Sequence, residues 1–423
     1  MTQLSKDGGD LIGVEAALAA VQKLCRPVTE VEAVALSAGL GRILAADVTA
    51  PRDVPPTDNS AVDGYALYFD DLNEKAETTL PVTGRAAAGH PLDRPAQRGE
   101  AVRIFTGAAM PTGAAGEPGP DTVAMQEDCK PISGAKGAEV VVLPGLKRGG
   151  NARHKGEDVA AGSVVLTAGQ RLRPQDLGLA ASVGLRQLDV FAPLKVAIFS
   201  TGDEICDPGE ELPPGGIYDA NRTCIMALLQ GLGCEITDLG ILADDPAPLA
   251  EALGRAADGH DLVLTSGGVS VGEEDHVRAA VQAQGGLAFW RLAIKPGRPV
   301  AMGEIGATPF IGLPGNPAAM MVTFLRIARP AILALGGAKV LAPPLYRVAS
   351  GFDHKKKAGR REYVRARLTQ DQPGPPVARK FERAGAGILT SFVEADGLVE
   401  LPEDLVQLKS GDNVDFLPFS EVM

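Results

Sequence analysis

Residues 194–336 alternate short apolar runs with longer segments in which apolar residues recur at helical spacing. The short runs indicate buried strands, and the longer segments indicate helices. Strands that alternate with helices predict βαβ units and an open, doubly wound sheet. The predicted strands are 194–200, Glu235–Leu242 and 261–266, and the predicted helices are Ala220–Gly231, 246–257, 275–284 and Pro317–Leu335.

The pattern changes on both sides of this block. Towards the amino terminus, apolar spacing predicts helices at Val14–Leu24, at 29–46 and near 174–183. Short strand-like runs separated by Gly and Pro turns predict a small β-barrel or sandwich between them. Those runs are 80–82, 101–105, Thr122–Met125 and 139–143. Beyond the Pro343-Pro344 pair, strand-like runs return at 346–351, 362–368 and 414–417.

These patterns predict a multidomain protein of α/β and β architecture. A central α/β domain of the mononucleotide-binding type is flanked by an amino-terminal helical and β-barrel-like region and by a small carboxyl-terminal β domain. The predicted division is 1–50 with 151–192 as a helical or linker domain, 51–150 as an inserted small β domain, 193–340 as the α/β domain, and 341–423 as the terminal β domain.

Charge and composition exclude several classes of function. The chain has 41 Lys and Arg against 53 Asp and Glu, a net charge of −12. Nucleic acids and acidic membranes need a net basic surface, so we expect neither as a partner. The five cysteines are scattered without a C-x-x-C pair, which is typical of a reducing compartment and predicts a cytoplasmic protein.

Acidic clusters follow the three predicted strands of the α/β domain. They are Asp203-Glu204, Asp244-Asp245 and residues 273–275 (EED). Ligands bind at the carboxyl edge of such a sheet, and carboxylates gathered there repel one another unless cations compensate. A Mg²⁺ ion facing a phosphate-bearing substrate would supply that compensation. Asp203 and the Asp-Asp-Pro sequence also suit simple helix starts, so structural roles stay open.

Residues 265–272 (TSGGVSVG) connect a predicted strand to a helix start. Gly267, Gly268 and Gly272 would let backbone amides approach a phosphate group closely. A tight turn that needs glycine for its geometry alone is the structural alternative. The acidic residues directly after this loop favour a metal and phosphate site.

Two further segments carry candidate chemistry. In the strand and turn at 289–298, Arg291 and Lys295 lie on one face and could bind an oxyanion, although a salt-bridging surface is the ordinary alternative. Residues 57–66 have low propensity for helix or strand but are rich in carboxyl, hydroxyl and amide groups. Such loops are often binding loops, although Asp63-Gly64 also suits a plain turn.

Together these motifs resemble one family, the molybdopterin molybdenumtransferases of the MoeA type, which are related to the E domain of gephyrin. The matching segments occur in the family's order along nearly the whole chain: 59–66 (NSAVDGYA), 104–107 (IFTG), 156–158 (GED), 200–204 (STGDE), 266–272 (SGGVSVG), 295–297 (KPG) and 312–317 (GLPGNP). The resemblance implies a Mg²⁺-dependent enzyme that takes adenylylated molybdopterin and molybdate, releases AMP and yields molybdenum cofactor. It also implies a homodimer with four domains per chain, and molybdopterin adenylyltransferase and molybdoenzyme-maturation proteins as candidate partners.

The resemblance assigns roles to residues of the matching segments. As catalytic residues it implies Asp63, Glu204, Asp245, Asp275 and Lys295, and as Mg²⁺ ligands Glu204, Asp245 and Asp275. As substrate-binding residues it implies Thr106, Asp158, Ser200, Gly202, Ser266, Gly267, Gly268, Ser270, Arg291, Pro314, Pro317, Arg361 and Ser391. The choices between Asp244 and Asp245 and between Arg360 and Arg361 stay open.

This chain departs from the family pattern at three places. Arg291 stands where relatives carry Lys, residues 115–120 interrupt a usual motif, and Ala386 stands where Ser is frequent. Two alternative functions remain. A molybdopterin adenylyltransferase shares the α/β domain and the glycine loop but is usually a shorter chain, and a non-catalytic scaffold is the other alternative.

Overall fold

The structure is a computed structural model that describes residues 11–134, 137–243, 245–268, 276–370, 374–383 and 385–423. The chain forms two compact units. The larger unit comprises Met1–Ala46, Ala168–Arg173 and Leu188–Met423, and the smaller unit comprises Asp47–Thr167 and Pro174–Gln187. The division into four domains stays a prediction.

A six-stranded sheet forms the centre of the larger unit. Its strands follow the order Glu235–Leu242, Lys195–Thr201, Leu262–Ser266, Thr308–Leu313, Pro299–Ile305 and Leu287–Arg291. The first four strands are parallel, and Pro299–Ile305 runs antiparallel to both of its neighbours. The predicted strands lie within one residue of their observed bounds. The predicted doubly wound α/β domain is therefore confirmed, with an antiparallel edge.

Both faces of this sheet are buried, because the strand Lys195–Thr201 sends alternate side chains into two cores. Val196 and Ile198 belong to one apolar cluster, and Ala197 and Phe199 belong to the other. Helices cover the two faces, with Ala220–Gly231 and Pro317–Leu335 on the first and Pro246–Gly259 and His276–Gln284 on the second.

The helix Pro317–Leu335 is long and strongly apolar. It consists of Pro317–Thr323 and Arg329–Leu335 in α conformation with a π-helical turn, Phe324–Ala328, between them. By length and composition it is the one described helix that could cross a membrane, and every residue from Ala318 to Leu335 is buried inside the protein. A buried core helix can have the same length and apolar composition as a membrane-spanning helix.

The carboxyl-terminal sheet closes on itself. Its strands follow the order Ile294–Lys295, Arg361–Thr369, Val377–Lys380, Tyr346–Ser350, Asn413–Pro418 and Gly397–Leu401, and the last of these also pairs with Arg361–Thr369. The result is a small barrel-like sheet filled by residues such as Val348, Ala378 and Phe416. A short helix, Thr390–Val393, and the strand pair His354–Lys355 and Gln407–Leu408 complete it.

The smaller unit contains another six-stranded sheet, which matches the predicted β-barrel or sandwich. Its order is Thr122–Met125, Gly64–Leu67, Ala101–Ile104, Thr78–Ala86, Gly137–Val142 and Cys129–Gly134. The two edge strands are consecutive in the chain and are joined only by the turn Gln126–Asp128, so the sheet curls. Two short strand pairs and the helix Pro174–Ser182 also belong to this unit: Asn59–Ser60 with Ala152–Arg153, and Val48–Thr49 with Val164–Leu166.

The predicted helix at 29–46 is wrong. The segment forms the strand Val31–Ala35, which pairs with Gln187–Phe191, followed by a 3₁₀ turn at Leu36–Ala38. Valines favour an extended strand with a partner, and that partner lies more than 150 residues away in sequence. Gly41, with φ of 76°, then ends any helical continuation.

Candidate active site

A cavity of about 770 Å³ opens at the carboxyl edge of the α/β sheet. It lies where the parallel strands Lys195–Thr201, Leu262–Ser266 and Thr308–Leu313 end, the position at which ligands bind in such sheets. We call it the sheet-edge cavity. Seven predicted site residues line it: Ser200, Gly202, Glu204, Ser266, Gly267, Gly268 and Pro314.

Two helices begin at the sheet-edge cavity. The helix Ala220–Gly231 starts after Asp219, whose carboxylate accepts a hydrogen bond from the Arg222 amide, and the helix Pro317–Leu335 starts after Asn316. Asp219 and Asn316 both line the cavity. Helix amino termini present unpaired N–H groups and partial positive charge, so this cavity suits a phosphate or another anion.

The floor of the sheet-edge cavity is polar. Asn221 donates hydrogen bonds through Nδ2 to Ser266 Oγ at 2.8 Å and to the Gly315 carbonyl at 2.7 Å. Its Oδ1 and the Ser200 hydroxyl are buried and have no hydrogen-bond partner among the described residues. Buried polar atoms almost always have partners, so a ligand or an ordered water would satisfy these two atoms.

Two predicted glycines are required by the backbone of the cavity loops. Gly202 has φ of 140°, and Gly268 has φ of 60°. A Cβ atom on Gly268 would lie 2.6 Å from Val277 Cγ2 and 2.8 Å from Thr201 Oγ1. These positions let the loops turn sharply at the ends of their strands and bring backbone close to a bound ligand.

We expect Gly268→Ala to lower the free energy of unfolding by about 1–3 kcal/mol, because the new methyl group meets Val277 and Thr201 in a left-handed backbone. Urea unfolding measures this change. The matched control is Gly259→Ala at a helix end, where a Cβ has nothing within 4 Å, and its stability should stay equal or rise slightly. If Gly268→Ala and Gly259→Ala had the same free energy of unfolding, a Cβ atom at position 268 would cause no strain.

A second cavity of about 460 Å³ shares Gly297 and Ala386 with the first. We call it the basic cavity, because the charged side chains that line it are mostly cationic: Lys295, Arg360, Arg365, Lys380 and Arg383. His354 also lines it. Glu362 is the one carboxylate among its described lining residues. The excess of positive charge in an otherwise acidic protein suits a small oxyanion.

Lys295 enters the basic cavity as one partner of Glu362. Its Nζ lies 3.3 Å from both carboxylate oxygens, and His354 Nε2 lies 3.0 Å from Glu362 Oε2. Burial alone would raise the pKa of Glu362, but the hydrogen bond with His354 and the charge of Lys295 outweigh it and lower that pKa. Glu362 is therefore an anion at neutral pH.

Arg365 is held in place by groups behind the basic cavity. Its Nε donates to Ser391 Oγ at 3.0 Å, and its Nη2 donates to the Gly385 carbonyl at 3.1 Å. Burial lowers the pKa of Arg365 from its usual range. Ser391 is fully buried and lines neither cavity, so in this structure its hydroxyl orients Arg365.

Four other predicted residues of the larger unit also lie outside both cavity linings. Asp245 is exposed and caps the helix Pro246–Gly259, and Pro317 is the first residue of its helix. Arg291 ends the strand Leu287–Arg291 of the α/β sheet, whereas Lys295 lies on a separate strand, Ile294–Lys295, of the carboxyl-terminal sheet. The prediction that Arg291 and Lys295 share one face of a single strand is therefore wrong. Arg361 forms ion pairs with three carboxylates, those of Glu15, Glu400 and Glu403.

Three predicted residues belong to the smaller unit. Asp63 Oδ1 accepts hydrogen bonds from the amide and the hydroxyl of Thr106, both at 2.8 Å. These two bonds lower the pKa of Asp63, backbone amide first, so its carboxylate is charged at neutral pH. Asp158 is exposed, and its amide donates to the Val54 carbonyl at 3.0 Å.

The predicted Mg²⁺ ligands are only partly within the described residues. Asp275 and Ser270 lie outside them, as does Asp244. Among the described residues, no group of three or more His, Cys, Asp or Glu side chains could hold a metal ion. Glu204 is the one predicted ligand at the cavity. Mg²⁺ commonly takes one or two carboxylates together with substrate phosphates and water, and a single carboxylate there is compatible with this mode.

Sequence reasoning missed several residues of the two cavities: Asn221, Glu362, Arg365, Lys380 and Arg383. Of the two arginines between which the sequence left the choice open, Arg360 lines the basic cavity and Arg361 does not. The available signal was the number of basic residues at 360–367 and 379–383. The sequence alone does not show which of them face a ligand. That depends on how the carboxyl-terminal barrel meets the strand Ile294–Lys295.

Family models match nearly the whole chain. The MoeA N-terminal region (domain I and II) matches residues 12–184, a probable molybdopterin binding domain matches 197–334, and the MoeA C-terminal region (domain IV) matches 347–419.

Individual proteins agree with these models. A molybdopterin molybdenumtransferase of Haemophilus influenzae is 37% identical over 93% of this chain and 95% of its own length. Molybdopterin molybdenumtransferase 2 of Mycobacterium tuberculosis is 34% identical with the same coverage. A crystal structure of a molybdopterin biosynthesis MoeA protein from Pyrococcus horikoshii superimposes with a TM-score of 0.80 at 28% identity, covering 96% of this chain and 99% of that one.

Proposed function

Because this chain belongs to the molybdopterin molybdenumtransferase family, a family of transferases, we propose that it inserts molybdenum from molybdate into molybdopterin during molybdenum cofactor synthesis. One observation carries the proposal. A basic cavity suited to an oxyanion adjoins a sheet-edge cavity suited to a phosphate-bearing ligand, and the two share Gly297 and Ala386. Two substrates bound side by side need this arrangement.

We propose adenylylated molybdopterin as the form that enters the sheet-edge cavity. Support comes from the two helix amino termini, the glycine loops, and the buried Ser200 and Asn221 oxygens that lack partners among the described residues. The cavity volume of about 770 Å³ is within the range of small-molecule sites. Release of AMP would accompany the transfer.

Molybdate would occupy the basic cavity beside Lys295 and Arg365. Their charged N–H groups match the oxygens of a tetrahedral dianion, and charge-assisted hydrogen bonds of this kind are the strong ones. We place Arg365 in this role ahead of Arg361, because Arg361 is engaged by Glu15, Glu400 and Glu403. Arg291 and Pro317 lie on elements that lead to the two cavities and would support the oxyanion indirectly.

The residues of this chain would act mainly by holding the two substrates in contact. The two thiol groups of molybdopterin replace one oxide ligand of molybdate, and that oxide leaves as water with the two thiol protons. Water cleaves the phosphate–phosphate bond to release AMP, so no protein nucleophile is required. Lys295 and Arg365 fix the oxyanion, and the helix amino termini fix the phosphates. When bound, Mg²⁺ would neutralise phosphate charge. Glu204 would hold it together with acidic residues outside the described ranges, and Asp245 would keep its place as a helix cap.

We further propose that the protein is a cytoplasmic homodimer. The scattered cysteines predict the cytoplasmic location, and the family resemblance implies the dimer. The net charge of −12 is compatible with small-molecule substrates. We propose no nucleic-acid or membrane partner, because both would need a net basic surface. Molybdopterin adenylyltransferase, which would supply the substrate, and proteins that mature molybdoenzymes would be its protein partners. Mass measurement of the purified protein tests the dimer.

The central experiment incubates the protein with adenylylated molybdopterin, molybdate and Mg²⁺ and measures AMP. Release of AMP that depends on molybdate supports the proposal. Formation of adenylylated molybdopterin from ATP and plain molybdopterin would favour the adenylyltransferase alternative. Binding of substrate without any turnover would favour a scaffold.

We expect Lys295→Ala to raise the molybdate concentration for half-maximal AMP release by about 10- to 100-fold, because one charge-assisted contact is lost. The affinity for adenylylated molybdopterin should change much less. The control is Lys130→Ala, which removes an exposed lysine paired with Glu77 in the smaller unit. If Lys295→Ala weakened the nucleotide substrate and left the molybdate response unchanged, Lys295 would belong to the phosphate site.

A further inference from the structure

The segment that carries Lys295 is part of the carboxyl-terminal sheet. The strand Ile294–Lys295 pairs in parallel with Arg361–Thr369, with Ile294 opposite Arg361 and Lys295 opposite Glu362. The Arg361 amide also donates to the Ala293 carbonyl at 2.8 Å. The chain therefore passes from the edge of the α/β sheet directly into the barrel that contributes most of the basic cavity.

This register brings Lys295 and Glu362 together. Residues opposite each other on neighbouring strands project to the same face of a sheet, so their side chains are adjacent. The ammonium group of Lys295 lies 3.3 Å from both oxygens of Glu362, which is a two-point contact. Such a contact restricts a side chain that otherwise has four rotatable bonds.

Glu362 is itself held from a third element. The strand His354–Lys355 brings His354 Nε2 to 3.0 Å from Glu362 Oε2. The side chain of Glu362 is 6% exposed and that of His354 is 16% exposed, whereas that of Lys295 is 57% exposed. The carboxylate is thus a fixed point behind a cation that faces the cavity.

The contacts of Glu362 and Lys295 differ in what they contribute. Burial disfavours the Glu362 carboxylate, and its contacts with His354 and Lys295 together outweigh that cost. The half-exposed lysine gains little stability from the pair, so the defined geometry of its ammonium group is typical of a binding residue that is oriented by a neighbour. Lys356, the other cation near Glu362, instead donates to the carbonyls of Pro402, Glu403 and Leu405.

We propose that Glu362, anchored by His354, is a positioning residue that holds the Lys295 ammonium group in the orientation that binds molybdate. The inference rests on the proposed function and adds a residue that acts through Lys295. Glu362 also carries a negative charge, which by itself would repel a dianion. Removal of the Glu362 charge should therefore weaken molybdate binding if Glu362 orients Lys295, and should strengthen it if Glu362 only repels the dianion.

The test is Glu362→Gln, which keeps the size of the side chain and removes its charge. If Glu362 positions Lys295, the molybdate concentration for half-maximal AMP release should rise about tenfold with a much smaller change in kcat. If Glu362 only neutralises Lys295, that concentration should fall. The matched control is Glu403→Gln, which removes a carboxylate paired with Arg361 outside both cavities and should leave the molybdate response unchanged.

A second variant separates positioning from general damage. In the Lys295→Ala background, adding Glu362→Gln should change the molybdate response by less than about twofold, because the group on which Glu362 acts is already absent. His354→Gln should shift the response in the same direction as Glu362→Gln. Independent, additive effects of the two substitutions would overturn the inference, as would a lower molybdate requirement in Glu362→Gln.

The two proposals fail separately. If Lys295→Ala leaves the molybdate response unchanged, the assigned oxyanion site is wrong and Glu362 has no role through it. If Lys295→Ala shows the expected loss while Glu362→Gln behaves like the parent protein, only the positioning inference is wrong. Thermal melting of each variant verifies that the compared proteins are folded.

Discussion

Replacement of Arg326 by methionine is expected to lower the free energy of unfolding by about 3 kcal/mol. Arg326 lies in the π-helical turn Phe324–Ala328, with a side chain that is only 6% exposed, and its Nη1 is 3.3 Å from Glu400 Oε1. Removing one member of a buried ion pair leaves the other charge uncompensated. Arg361, 3.7 Å from the second oxygen of Glu400, compensates part of the loss. Urea unfolding at neutral pH measures the change.

The loss in Arg326→Met should also depend on pH. Burial raises the pKa of Glu400, and the charges of Arg326 and Arg361 oppose this shift. A carboxyl group with a raised folded-state pKa binds more protons folded than unfolded, so its contribution falls as pH rises above about 4.3, the unfolded value. Without Arg326 the folded pKa rises further. The destabilisation should therefore be smaller near pH 5 than near pH 8.

A surface ion pair provides the matched control. Arg255 pairs with Glu251 one helical turn away, and both side chains are mostly exposed. Exposed pairs contribute little, so Arg255→Met should leave the unfolding curve nearly unchanged at either pH. An Arg326→Met variant that loses less than about 1 kcal/mol, or loses the same amount at both pH values, would show that Glu400 stays fully compensated.

Local patterns were sufficient to predict the α/β domain. Glu235–Leu242 and Ala220–Gly231 have the bounds that their apolar spacing predicts. The expectation that Glu235–Leu242 is buried is wrong, because it is the edge strand of the sheet and its residues are exposed or half-buried. The same reasoning failed for 29–46. There the strand Val31–Ala35 depends on Gln187–Phe191, and a partner so distant in sequence leaves no local signal.

For single residues of the cavities too, contacts with distant segments could not be predicted from the sequence. Glu204 and Gly268 follow strands at the sheet edge, so topology alone brings them to a ligand. Arg361 and Arg365 lie on one strand of the barrel, and no local pattern distinguishes them. The distinction comes from Glu15, Glu400 and Glu403, which engage Arg361 from distant segments, and from Ser391, which orients Arg365. A long-range ion-pair network cannot be read from residue spacing.

The carboxylate of Asp63 poses a separate question, because the structure gives it a local role. Its Oδ1 accepts two hydrogen bonds from Thr106, and the Gly107 amide donates to the Ser60 carbonyl at 2.8 Å, so the turn after the strand Ala101–Ile104 is fixed at several points. Asp63 could matter only for this turn, or its negative charge could act in the reaction. Asparagine separates the two roles, since its amide oxygen still accepts both bonds while the charge is lost.

We expect Asp63→Asn to lower kcat/KM for AMP release by about 100-fold or more, the range for a group that handles charge or protons in a reaction, with an unchanged melting curve. The Thr106 bonds lower the pKa of Asp63, so the parent carboxylate is charged throughout the neutral range and its contribution should not vary there. Asp70→Asn, at an exposed aspartate that pairs with Arg148 in the same unit, should keep full activity. If Asp63→Asn were as active as Asp70→Asn while Asp63→Ala were inactive and less stable, the carboxylate would serve only to hold the turn around Thr106.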